Sequence, residues 1–115
     1  MHEVSLLLNV AELVRETIEG TDIAHVDEVV LEIGDLTGVI PAFMIDGYSY
    51  ISDEYEFLKG SELIINQIKS RGICSDCGME FAIVENEGIC PSCGSVSKTV
   101  LSGQEFVIKE IRIKE

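Results

Sequence analysis

Apolar residues recur at helical spacing near the start of the chain, at Leu6, Val10, Leu13, Val14 and Ile18. That rhythm of threes and fours predicts an amphipathic helix. Ser5 is the expected N-cap, its hydroxyl accepting from first-turn amides. Gly20 supplies a left-handed exit, so the helix is expected over Ser5 to Glu19. The period then shortens to two. In "HVDEVVLEIG", Val29, Leu31 and Ile33 share one strand face, with Val30 and Glu32 on the other. "DLTG" reads as a turn. Pro41 suits the first turn of a second helix. Its apolar face would be Met44, Tyr48, Ile51, Tyr55 and Leu58, with Gly47 weakening it and Gly60 ending it. "SELIINQIKS" and "GQEFVIKEIRIKE" predict two further strands. In the last, Phe106 and Ile108 fall on one parity and Ile111 and Ile113 on the other; a bulge near Glu110 reconciles them.

The predicted order is helix, strand, helix, strand, insertion, strand. This is an α+β fold, with a small three-stranded sheet covered by two helices. The insertion runs from about Ser70 to Ser102 and is expected to form a four-cysteine zinc-ribbon module. Two domains follow: residues 1–69 with 103–115, and residues 70–102. Hinge-like ends near Ser70 and Gly103 allow exchange of a strand or ribbon between protomers, and so a homodimer. The apolar runs are short ("SLLLNVA", "VVLEI", "ELIIN"), so no membrane span is expected. The opening lacks a basic region followed by an apolar stretch, so the expected location is cytoplasmic.

The insertion carries all four cysteines. "CSDCG" and "CPSCG" place Cys74, Cys77, Cys90 and Cys93 as two CxxC pairs. Two intervening residues let both sulfurs of a pair face one ion. Gly78 and Gly94 follow the pairs, where the backbone needs a positive φ. The residues from Gly78 to Ile89 suffice for two short strands and a turn. Two knuckles meeting across that hairpin make a tetrahedral four-sulfur site. Zinc is the expected ion, and iron in a rubredoxin-like site is the second option. Four thiolates leave no open position for water or substrate, which makes the site structural. An insertion this short needs such a staple, because it cannot bury a sufficient core.

The two histidines are His2 and His25. His25 precedes the first strand and reads as a surface residue. His2 stands behind Met1, and a bulky second residue blocks removal of the initiator methionine. The Met1 amine, the His2 amide and the His2 imidazole can chelate one ion. The amide of Glu3 or an outside ligand can complete a planar set of nitrogens, and Glu3 can add its carboxylate or simply favour the helix start. Planar nitrogen coordination suits Ni(II) or Cu(II). The competing reading is a solvated terminal histidine.

The formal charge is −13. Residues 1–69 hold 3 Lys/Arg against 14 Asp/Glu, residues 70–100 hold 2 against 4, and residues 101–115 balance at 3 and 3. Such a surface repels nucleic acid and anionic lipid and attracts cations or a basic protein face. The scarcity of Lys/Arg around the cysteines weighs against a ribbon module for nucleic acid, the alternative that knuckles raise. No nucleophile–base pair suggests itself, so an enzyme is not expected.

The opening "MHEVSLL", the central "VVLEIGDLTGVIP" and "CSDCG…CPSCG" followed by "SGQEFVIKEIRIKE" resemble the HypA/HybF hydrogenase maturation proteins, in order and spacing, over essentially the whole chain. The resemblance implies a nickel metallochaperone. Nickel would bind through His2 with main-chain nitrogen and, in some members, the adjacent acid, here Glu3. The cysteines would hold zinc. The resemblance further implies delivery to the large subunit of NiFe-hydrogenase with a HypB-type GTPase, and in some members service to urease. Some relatives carry histidines in or beside the zinc loop. Here the loop has none, and position 98 is Lys98, which speaks against a second nickel site.

Overall fold

The computed structural model describes residues 3–114, with Glu3 described in its backbone alone. Helix α1 spans Glu3–Ile18, strand β1 Glu28–Gly34, helix α2 Pro41–Ser52 and strand β2 Glu62–Ile68. Strands β3 (Arg71–Cys74), β4 (Glu80–Ala82), β5 (Lys98–Ser102) and β6 (Phe106–Arg112) follow. Short 3-10 turns occupy Asp35–Thr37 and Glu56–Leu58.

The main sheet has the order β2-β1-β6. Glu62 N donates to Asp27 O where β1 and β2 begin, and Ser70 N donates to the Asp35 carboxylate just beyond where they end. Both strands therefore run the same way, and α2 is the crossover between them. β6 runs against β1: Gly34 N donates to Glu105 O and Asp27 N to Arg112 O. In β1, Val29, Val30, Leu31 and Ile33 are all buried. A central strand covered on both faces reads as such a run. Along β6 the half-buried residues are Phe106, Ile108 and Ile111, so the parity changes as the sequence alternation does.

Three sequence expectations are corrected. α1 is already helical at Glu3, so Ser5 lies exposed in its first turn and is not the N-cap. α2 ends at Ser52, which leaves Tyr55 outside it. Asp53, Glu54 and Glu56 follow, and acids oppose extension at the negative pole. Leu58 is still fully buried, but from a 3-10 turn. The segment between the knuckles holds one strand, β4, and not two. Its second half is a tight turn in which Gly88 N donates to Ile83 O, with Glu87 at φ 55 and Gly88 at φ 79.

The chain divides into two compact units. One comprises the chain up to Leu31, Val39–Asn66, and the chain from Ile108 onward. Its buried residues include Leu7, Val10 and Val14 of α1, Val29 and Val30 of β1, and Met44 and Tyr48 of α2. The other comprises Glu32–Gly38 and Gln67–Val107. It contains a second sheet of order β4-β3-β5, both pairs antiparallel. Its core is small: Cys74, Phe81, Ile83 and Cys90, with Leu36 packed against it. Ser70 is buried here, its hydroxyl accepting from Val84 N and its carbonyl from Ile83 N. A Cβ on Gly103 would lie 2.4 Å from Ser70 Cβ, and one on Gly34 would lie 2.0 Å from Gly103 C. The two ends of the expected insertion are thus packed tightly against each other.

Candidate metal centre

Each knuckle is built by the same local bonds. In the first, Gly78 N donates to Cys74 O at 2.9 Å and Cys74 N donates to Met79 O at 2.8 Å. In the second, Gly94 N donates to Cys90 O and Cys90 N to Ser95 O, both at 2.9 Å. Gly78 and Gly94 sit at φ 79 and 78 with open space around the position of a Cβ. A side chain there would be excluded by backbone strain alone. The first knuckle continues from β3 and the second leads towards β5, so the sheet that joins β3 to β5 brings the two together.

The sulfurs of Cys74, Cys77, Cys90 and Cys93 all lie within 4.8 Å of one another. Cys74 Sγ is 3.5 Å from Cys93 Sγ, and Cys77 Sγ is 3.6 Å from Cys90 Sγ. A disulfide requires about 2.05 Å, and all four cysteines are free. Four thiolates around a zinc ion at about 2.3 Å would sit about 3.8 Å apart along each tetrahedral edge. The donor set and its spacing fit one tetrahedral ion. Cys74 and Cys90 face the ribbon core, while Cys77 and Cys93 are exposed.

The site is electrostatically prepared for a cation. The backbone N–H of Cys77 draws the Cys74 thiol down; burial opposes it, and the N–H of Asp76 adds to it, leaving the thiol at about 6. The Ser95 N–H also pulls on Cys93. The hydrogen bond with the Cys74 sulfur and burial outweigh it and push that thiol up to about 12. One sulfur is therefore a thiolate at neutral pH, with its proton-bearing neighbour beside it.

Sequence reasoning missed an outer ring of bonds that ties one knuckle to the other. Ser75 N donates to Ser97 O at 3.0 Å. The Ser95 hydroxyl donates to the Asp76 carboxylate and accepts from Ser97 N. Residues between and beside paired cysteines that bear short polar side chains are the only sequence signal for it. Lys98, opposite Cys74 in the β3–β5 pairing, donates to Val96 O.

His25 is on the surface, its Nε2 2.7 Å from Lys59 O and its Nδ1 3.6 Å from Asp27 Oδ1. Met1 and His2 lie outside the described residues, as does the side chain of Glu3.

The family model described as "Hydrogenase/urease nickel incorporation, metallochaperone, hypA" matches residues 1–113. A hydrogenase maturation factor HypA of Geotalea uraniireducens is 35% identical over 114 residues, covering 99% of this chain and 100% of that one. The HypA of Rippkaea orientalis is 37% identical over 118 residues, covering 100% of this chain and 97% of that one. Among solved structures, the Ni metallochaperone HypA from Helicobacter pylori aligns with a TM-score of 0.70 at 22% identity. That alignment covers 98% of this chain and 97% of that one, and shows a shared fold. With the knuckle geometry, the α+β architecture and a match along nearly its whole length, the chain belongs to the HypA family of nickel-incorporation metallochaperones that act in hydrogenase maturation.

Proposed function

We propose that this chain carries Ni(II) as cargo at its amino terminus and passes it to the large subunit of NiFe-hydrogenase, in the cytoplasm and in concert with a HypB-type GTPase. The family match over residues 1–113, which includes the Met-His-Glu opening, carries this reading. In it, the Met1 amine, the His2 amide and imidazole, and a group of Glu3 hold the ion. Zinc is the resident ion of Cys74, Cys77, Cys90 and Cys93, with a structural role, and the protein itself is not an enzyme. The division of labour follows from chemistry. Four sulfurs enclose an ion completely, and such a site holds rather than gives. Nitrogen ligands at a chain end can be displaced one at a time by an acceptor. In this scheme residues 1–69 with 103–115 are the nickel-carrying part and residues 70–102 the zinc-carrying part.

The test is calorimetry with Ni(II) on untagged protein and on His2→Ala, with elemental analysis of both. The substitution is expected to abolish tight nickel binding while zinc stays at about one ion per chain. Blocking the Met1 amine is expected to do the same. Full nickel affinity in His2→Ala, or spectroscopy that places the nickel among the thiolates, overturns the proposal.

A further inference from the structure

Helices α1 and α2 meet at Leu7 and Gly47, where a Cβ on the glycine would lie 3.0 Å from Leu7 Cδ1. Each helix has a buried side next to this contact: Leu6, Val10 and Val14 on α1, and Met44, Tyr48 and Ser52 on α2. On the opposite side of the contact, helical geometry places four large apolar residues. Val4 and Leu8 come three before and one after Leu7, while Phe43 and Tyr50 come four before and three after Gly47. They are 58%, 41%, 55% and 78% exposed. None of the four is needed to fill the core. A clustered apolar face of this kind on a strongly charged protein marks an interaction site.

Its surroundings say what kind of partner fits. Asp46, between Phe43 and Tyr50, flanks the patch, as does Glu12, one turn beyond Leu8 and paired with Arg15. Residues 1–69 hold 14 acids and 3 bases. We infer that Val4, Leu8, Phe43 and Tyr50 form a docking surface for a partner protein that presents apolar side chains ringed by Lys and Arg. Complementary charge brings such a partner in, and the apolar centre holds it. Val4 also follows directly on Met1, His2 and Glu3. In sequence, a partner seated on the patch would engage the chain within a few residues of the proposed nickel ligands, linking docking to transfer. That last step rests on the nickel site proposed above; the docking surface itself does not.

The full chain is compared with Phe43→Glu/Tyr50→Glu and with the milder Phe43→Ser/Tyr50→Ser. Both positions are more than half exposed, so the fold is expected to survive, and circular dichroism checks it. Binding of a purified HypB-type GTPase and of the hydrogenase large subunit is measured at low and high salt. The Glu pair is expected to weaken at least one of them about 10-fold or more, the scale of a lost hot spot. The Ser pair should weaken it less, and added salt should weaken the parent. Ni(II) affinity should stay at the parental value. Unchanged binding of both proteins by both variants overturns the inference. So does a loss confined to self-association in sedimentation, which would assign the patch to a second copy. If only the Ser pair folds, its result decides. If His2→Ala keeps full nickel affinity while the patch variants lose their partner, docking stands and the transfer step falls.

Discussion

Removing the ion from the four sulfurs is expected to unfold the ribbon unit and leave the helical unit folded. The magnitudes decide this. Among the described residues, the large apolar side chains buried in the ribbon core apart from the cysteines are Phe81 and Ile83. Burying each contributes about 1.5–3 kcal/mol, so the pair supplies ~3–6 kcal/mol. The ion pairs Lys69–Glu85 and Arg71–Glu80 are exposed and add about 1 kcal/mol or less apiece. A structural zinc ion contributes ~10–16 kcal/mol at neutral pH. The metal is the largest single contribution, and the apolar core cannot replace it. The assay is hydrogen exchange read by mass spectrometry, before and after chelation at constant pH, and again after zinc is restored. The amides of Cys74, Gly78, Cys90 and Gly94, all bonded within the knuckles, should lose protection and regain it. Those of Val10, Val14 and Val29 should keep it. Ribbon amides that stay protected after stoichiometric removal of the ion would refute the reasoning.

Two further outcomes follow from the same site. Ser95→Ala and Asp76→Ala each remove the side-chain bond between the knuckles, and are expected to speed zinc transfer to a chelator several-fold; being solvent-exposed, that bond contributes about 1 kcal/mol. A chelator-competition time course checks this, with Ser95→Thr retaining the parental rate. Loading of the apo site is expected to release protons and to strengthen as pH rises. Near pH 7 Cys74, at about 6, has already lost its proton, whereas Cys93, raised to about 12, must give one up to bind. Below about pH 6 Cys74 is protonated too and uptake weakens further. Calorimetry in buffers of different ionisation enthalpy counts the protons, and uptake without release would contradict the assignment.

What the sequence made legible is what spacing alone determines. Two CxxC pairs, each followed by glycine, specify a knuckle by covalent reach and by the φ that only glycine adopts freely, so the sulfur cluster is readable without any tertiary information. Val29, Leu31 and Ile33 likewise mark the central strand, because a strand's period of two leaves few other readings. The misreadings arise where a residue's place depends on parts of the chain far away in sequence. Leu58 continues the apolar rhythm of α2 and is fully buried, yet it reaches the core from a separate 3-10 turn, because burial rewards position and not helicity. The segment between the cysteine pairs, which predicts two strands, holds β4 alone; the strands that frame the knuckles are β3, which ends at Cys74, and β5, which follows the second pair, and each is too short to announce itself. In the scheme proposed above, the same distinction separates the two metals. Sulfur ligands held by knuckles, with Asp76 and Ser95 bridging between them, enclose an ion on every side. A clamp made by a terminal amine and its neighbouring imidazole draws its geometry from the ion it binds. Rigid enclosure suits the ion that stays, and ligands at a chain end suit the one that leaves.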